Sequence, residues 1–249
     1  MDTTILKGLT VLEKLAESDR PRGVTELSRQ MNLTKSNVQR LLSTLVELGY
    51  AQKDQETGRY GPTLRMWEFG YKALSRDRVR LAAAPYLKNL FEQCGETVFL
   101  CAAEGTDVVY VDKIEGIDSS GIFCMVGMRM PALKTAAGRA VLAFQANEII
   151  DRALAVWSTE TLQPALDSDD VKRKLGEIRE AGYATSVGEF RPGVNSIAAP
   201  IWGADGKAVA SVVINGPADR LSTDRLQSLV VNVTTIAVQI SEALGFRLA

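Results

Sequence analysis

Lys35, Ser36, Asn37, Gln39 and Arg40 crowd into six positions, and no carboxylate follows them until Glu47. Apolar residues run through the same stretch at Val38, Leu41, Leu42, Leu45 and Leu48. That spacing is the period of an amphipathic helix, so the apolar stripe turns inward and the polar residues turn out. Amides, hydroxyls and a guanidinium match the donors and acceptors on base edges in a major groove. A lysine in the first turn attracts phosphate. Thr44 extends the same polar face. Between residues 20 and 40 there are five basic residues (Arg20, Arg22, Arg29, Lys35, Arg40) and one acid (Glu26), a local charge of +4 in a chain whose total is −1. Such a footprint points to a local nucleic-acid contact rather than a chain coated by nucleic acid.

The rest of the chain offers little reactive chemistry. It has no histidine among its 249 residues, which removes Ser-His and Cys-His nucleophile pairs and every metal site built on imidazole. Asp107, Asp112, Lys113 and Glu115 cluster along one hairpin, where alternation and turns account for them as solvated charges. Paired-carboxylate motifs, Walker loops and metal-ligand spacings are absent, so no catalytic residue, metal or cofactor is implied. Cys94, Cys101 and Cys124 are odd in number and form no CxxC, which fits a reducing cytoplasm better than a disulfide framework. No apolar run approaches the roughly 18 residues that span a bilayer.

The elements that would position the polar face can be read outward from it. Ile5, Leu9, Leu12 and Leu15 mark a first helix, with Thr3 or Thr4 as its candidate N-cap, and Asp19 to Gly23 breaks it. Thr25 to Met31 reads as a short second helix that Thr25 could cap. Asn32-Leu33 forms a tight turn, Thr34 caps the third helix, and Gly49 ends it. Two short strands around Asp54-Gln-Glu-Thr-Gly58 make a wing, with Arg59 beside its turn. The pattern predicts a winged helix-turn-helix over residues 1–62. The candidate DNA contacts are Thr25, Lys35, Ser36, Asn37, Gln39, Arg40, Thr44 and Arg59. The alternative for that face is a solvated surface that binds protein.

From Pro62 a helical pattern continues through the charged stretch Ser75 to Arg80, so residues 63–80 read as a linker helix. A helix over Ala82–Gln93 follows. From Glu96 the period becomes that of strands: Thr97–Ala103 and Val108–Ile114 as a hairpin, Gly121–Val126 as a third strand, then Ser196–Trp202 and Ala208–Asn215 around a Gly-Ala-Asp-Gly turn. Helices are expected over Ala136–Phe144, Val171–Glu180 and Leu221–Leu244. An antiparallel sheet with helices grouped on its faces is an α+β domain, here residues 81–249.

Several blocks carry a more specific resemblance. Gly23-Val-Thr-Glu-Leu-Ser, Thr34-Lys-Ser-Asn-Val-Gln-Arg-Leu-Leu and Thr57-Gly-Arg-Tyr in the first half, with Thr135-Ala-Ala-Gly-Arg-Ala-Val-Leu-Ala, Ile197-Ala-Ala-Pro-Ile and Asn215-Gly-Pro-Ala-Asp-Arg-Leu in the second, resemble the IclR-type transcriptional regulators. The resemblance covers nearly the whole chain. It implies a homodimer or homotetramer that binds a double-stranded operator, and a second domain of GAF-like fold that takes a small effector, typically an organic or aromatic acid. By the same resemblance, Ile122, Cys124, Ala136, Ala137, Ser186, Val194, Ser196, Val213 and Asn215 would wall the effector pocket. Where the family usually has histidine and a small residue before Thr-x-x-Gly, this chain has Leu133-Lys134. Lys134 then either meets an acidic effector or pairs with a carboxylate, solvated lysine being the alternative. A competing functional reading is an enzyme or metabolite-binding protein whose winged helix makes only protein contacts.

Overall fold

The computed structural model describes residues 3–116, 124–160 and 166–247. The chain forms two compact units, Met1–Arg76 and Asp77–Ala249.

In the first unit, α1 (Thr3–Ala16), α2 (Val24–Gln30) and α3 (Lys35–Glu47) surround a small core of Val11, Leu15, Leu27, Val38 and Leu42, closed by Ala51 and Tyr60 from the wing. The α2–α3 turn is tight because Asn32 adopts φ +51, a left-handed conformation that asparagine tolerates better than most side chains. Ser28 fixes this turn twice: its Oγ donates to the Leu33 carbonyl at 2.6 Å, and its own carbonyl accepts from Leu33 N at 3.0 Å. Thr34 caps α3 by accepting from Asn37 N at 3.3 Å. Thr25 does not cap α2. The extended residue before the helix is Gly23, which brings no side-chain bond, and Thr25 lies exposed inside the first turn.

The wing pairs β1 (Ala51–Lys53) with β2 (Tyr60–Pro62). Its connecting loop winds around Asp54, whose carboxylate accepts from Glu56 N and Thr57 N. A third short rung, invisible to period-two reading, joins Arg22 to Tyr60 through both backbone bonds. The unit ends in α4 (Arg65–Leu74). The helical pattern read as one segment to Arg80 is therefore interrupted. Asp77 turns extended and its carboxylate accepts from Arg80 N at 2.7 Å, which starts a new helix at Arg78.

That helix, α5 (Arg78–Cys94), opens the second unit. After it come β3 (Thr97–Glu104), β4 (Asp107–Ile114), β5 (Arg129–Pro131), a 3₁₀ turn at Ala132–Lys134, α6 (Ala136–Leu142), α7 (Asn147–Glu160) and α8 (Ser168–Ala181). Strands β6 (Ala184–Val187), β7 (Val194–Trp202) and β8 (Ala208–Pro217) complete the sheet, and α9 (Thr223–Ser228) and α10 (Val230–Ala243) close the chain. The sheet is antiparallel throughout, in the order β5-β4-β3-β8-β7-β6. One face buries Val98, Leu100, Val212 and Ile214 against α5 and α10. The other packs Phe99, Cys101, Ala198 and Val213 under α6. This is the expected α+β architecture.

Three details differ from expectation. The strand expected over Gly121–Val126 falls largely outside the described residues, and Cys124 and Met125 are not in a strand; β5 lies further on. The closing helix is two helices meeting at Leu229, the first capped by Ser222. Helix α7 and the edge strand β6 have no counterpart in the sequence reading.

Candidate DNA-reading face and effector face

The outward side of α3 carries Lys35, Ser36, Gln39, Arg40 and Thr44, all exposed, with Asn37 half-buried among them. These side chains are not equally available. Gln39 Nε2 donates to the Tyr60 hydroxyl at 3.0 Å, so the buried wing tyrosine holds that amide in place. Arg59 donates to the Pro21 carbonyl at 3.2 Å and lies 3.6 Å from Glu26. Glu26 also accepts from Arg22 and lies 3.3 Å from Arg20. The Arg22 bond, reinforced by its charge and that of Arg20, holds the Glu26 carboxyl below its ordinary value. Three of the arginines in this unit thus share one carboxylate behind the helix. Lys35, Arg40 and Arg29 make no ion pair among the described residues. The charge legible in the sequence is therefore divided between an internal brace and an outward remainder on α3 and α2.

In the second unit, the α6 side of the sheet has an unusual composition. Directly paired residues on four successive strands form one row: Ser186 on β6, Ser196 on β7, Asn215 on β8 and Thr97 on β3. The next row on the same side is Ala184, Ala198, Val213 and Phe99. All eight are buried. Thr97 Oγ1 accepts from Gly116 N at 3.1 Å, but among the described residues Ser186 Oγ and Asn215 Oδ1 have no hydrogen-bond partner. Buried polar atoms are almost always paired, so these atoms, with Ser211 Oγ further along the same side of β8, make this face a candidate place for a polar group from elsewhere.

Most of the predicted pocket residues meet here. Val213, Ser186, Ser196 and Asn215 belong to these rows, and Val194 follows Ser196 on the same side of β7, opposite Pro217. Ala136, Ala137 and Cys124 pack into the same cluster. Lys134 stands at its margin, with Nζ 5.7 Å from the centroid of Phe190, a ring packed against the cluster. Ile122 lies outside the described residues. The start of α6 is a weaker anion feature than its sequence suggests. The helix is two turns long, and Thr135 Oγ1 already accepts from Gly138 N at 3.0 Å. Gly138 has a packing role: a Cβ there would fall 2.3 Å from backbone atoms of Ala132.

Sequence reading missed Tyr110, Phe190 and Lys113. Tyr110 stands edge-on to Phe99, centroids 5.1 Å apart, and hydrogen-bonds to the Cys124 sulfur. Burial pushes both groups up, the tyrosine far above its ordinary range; the Tyr110 bond and the charges of Lys113 and Arg191 draw the thiol partly back. Burial also raises the Cys101 thiol. Neither cysteine is poised as a thiolate. Lys113, expected to be solvated, keeps only 18% of its side chain exposed, with Nζ 5.7 Å from the Phe99 centroid. Asp112 is not free either; it pairs with Arg80 of α5 at 3.0 Å.

Residues 4–55 match the IclR helix-turn-helix domain, and residues 71–242 match the domain described as bacterial transcriptional regulator IclR C-terminal. The HTH-type transcriptional regulator KdgR of Escherichia coli (strain K12) is 31% identical over 255 residues, covering 98% of this chain and 93% of that protein. An IclR family transcriptional regulator from Brucella abortus superposes with a TM-score of 0.83 at 26% identity, covering 98% of this chain and 93% of that one. An IclR homologue from Microbacterium hydrocarbonoxydans, solved in complex with 4-hydroxybenzoate, has a TM-score of 0.80 at 21% identity, covering 97% and 99%. A winged helix-turn-helix, an antiparallel-sheet domain following it in the chain and domain matches in the same order over nearly the full length together mean that the chain belongs to the IclR family of bacterial transcriptional regulators.

Proposed function

We propose that this regulator reads a double-stranded operator through Lys35, Ser36, Asn37 and Arg40 of α3. Gln39 serves chiefly to lock that helix to the wing. Thr25 and Thr44 flank the contact, and the half-exposed Arg59 turns from Glu26 to backbone phosphate when DNA binds. The observation that carries this reading is the outward face of α3: exposed, free of carboxylates through Val46, and bearing two cations that make no ion pair among the described residues. A gel-shift assay on the sequence upstream of the protein's own gene tests it. Specific binding should fall steeply with salt, and Arg40→Ala should weaken it by about tenfold or more. Salt-insensitive binding, or an Arg40→Ala variant that binds like the parent, refutes it.

The effector, in this proposal, is a small organic acid that binds on the α6 side of the second unit's sheet and changes operator affinity by favouring one of two conformations. Support comes from the unpaired Ser186 and Asn215, the rings of Phe99, Tyr110 and Phe190, and the cations Lys134 and Lys113 at the edges of that face. The 4-hydroxybenzoate held by the Microbacterium protein makes hydroxylated aromatic acids sensible first probes. The protein acts without catalysis and in the cytoplasm, where chromosomal DNA is; no helix among the described residues is long and apolar enough to cross a membrane. It works as a homodimer or a homotetramer. A stripe of exposed apolar residues on α1 and α4 supports this, with Ile5, Leu9, Trp67 and Phe69 each more than half exposed.

A further inference from the structure

Resting on the acid-effector reading above, we propose that Lys113 is the residue that takes the effector's carboxylate, and that Glu115 occupies this lysine when no effector is bound. The geometry begins with a bulge. Strand β4 pairs Leu100 with Asp112 but Cys101 with Tyr110, so Val111 is an extra residue. Without the bulge, Asp112 would share the side of Tyr110. With it, Asp112 turns to the opposite side and meets Arg80, while Lys113 pairs with Phe99 and joins the α6 side.

Lys113 is thus a largely buried cation on a sheet face lined mostly by small apolar, aromatic and neutral polar side chains, with Lys134 at its margin. Its ammonium stands near the Phe99 ring, and its charge is felt at the Cys124 sulfur inside the cluster. The contact that balances it is Glu115 Oε1 at 2.8 Å, from a carboxylate whose side chain is 59% exposed. An exposed carboxylate on a short lever, two residues along the chain, is easily exchanged for another carboxylate. A ligand acid arriving over Phe99 replaces one charge-assisted bond to Lys113 with another. Asn215 stands two strands across and two residues along from Lys113, roughly 12 Å over the sheet. With the lysine's own reach subtracted, a ligand about one ring long could place its carboxylate at Lys113 and a hydroxyl near the unpaired Asn215 Oδ1.

The test titrates the full-length protein with benzoate, 4-hydroxybenzoate, pyruvate and lactate, each beside its neutral amide, by calorimetry. In the parent, at least one acid should bind more tightly than its amide. Lys113→Met should lower affinity for that acid about tenfold while leaving the amide's unchanged, and Lys113→Arg should keep most of the acid preference. Glu115→Gln should tighten acid binding severalfold, because the internal competitor is gone. A merely structural role would move acid and amide together. If the parent prefers an acid and Lys113→Met keeps the full acid-to-amide ratio, the assignment to Lys113 is wrong while the acid reading stands. If Lys134→Met alone removes that ratio, the carboxylate belongs to Lys134. If the parent prefers none of the acids, the acid reading fails and this assignment with it.

Discussion

Glu26 shows how one carboxylate sets the charge that DNA will meet. It gathers Arg20, Arg22 and Arg59, so Glu26→Gln removes the one carboxylate that three guanidiniums share, while Arg59 keeps its bond to the Pro21 carbonyl. Because Arg22 above all, with Arg20, holds its folded pKa below the ordinary 4.5, its stabilisation is complete above that value and disappears as pH falls through the lowered one. Melting temperatures of parent and Glu26→Gln should therefore differ most above the ordinary 4.5 and converge as the pH falls well below it. A gap that persists undiminished in acid would contradict the brace. The basic surplus of this segment was legible in the sequence, whereas its division into braced and outward charges was not. Sequence gives composition along the chain, but which arginine meets Glu26 depends on the Arg22–Tyr60 rung that brings the wing beside α2. Lys113 was misread for a related reason: alternation assumes an unbroken strand, and one extra residue at Val111 exchanges the sides that Asp112 and Lys113 face.

Helices and turns were far more legible, because their signals are local. The inward stripe of α3, its Thr34 cap and the Gly49 stop follow from spacing and backbone preference alone. Thr34→Ala should cost about 1 kcal/mol in urea unfolding, the usual value of an N-cap. Asn32, at φ +51, predicts a paired result: Asn32→Ala should lower stability by about 1 kcal/mol and Asn32→Gly should change it by less than half as much. Equal losses would mean that the asparagine side chain, rather than the backbone, matters there. Gly138 is the stricter case. A methyl group at that position meets the Ala132 backbone, which cannot swing aside as a side chain could. Gly138→Ala should therefore destabilise by about 2 kcal/mol in spite of alanine's better helix propensity, read from the urea midpoint of the second unit. Segments with mixed signals, such as α7 and the short β6, carried no such local signature; tertiary packing decides them.

At the scale of the molecule, the two units divide the work, one presenting a polar helix and the other an apolar sheet face with unpaired polar atoms. The order of strands could be anticipated only as antiparallel. That β3 pairs with β8 rather than β7 is a long-range choice that no window of sequence reports. The apolar stripe on α1 and α4 leads to a prediction about assembly. Leu9→Glu should shift the protein toward monomer in analytical ultracentrifugation and weaken operator binding more than binding to a single half-site. An unchanged sedimentation profile would place the subunit contact elsewhere. The outer rim of the sheet bears on assembly too. On β6, Arg139 Nη2 reaches the outward carbonyl of Thr185 at 2.8 Å and the Glu189 carboxylate at 2.6 Å. A strand arriving from another chain would find that acceptor taken and a cation standing over it, which opposes sheet-to-sheet extension at this rim.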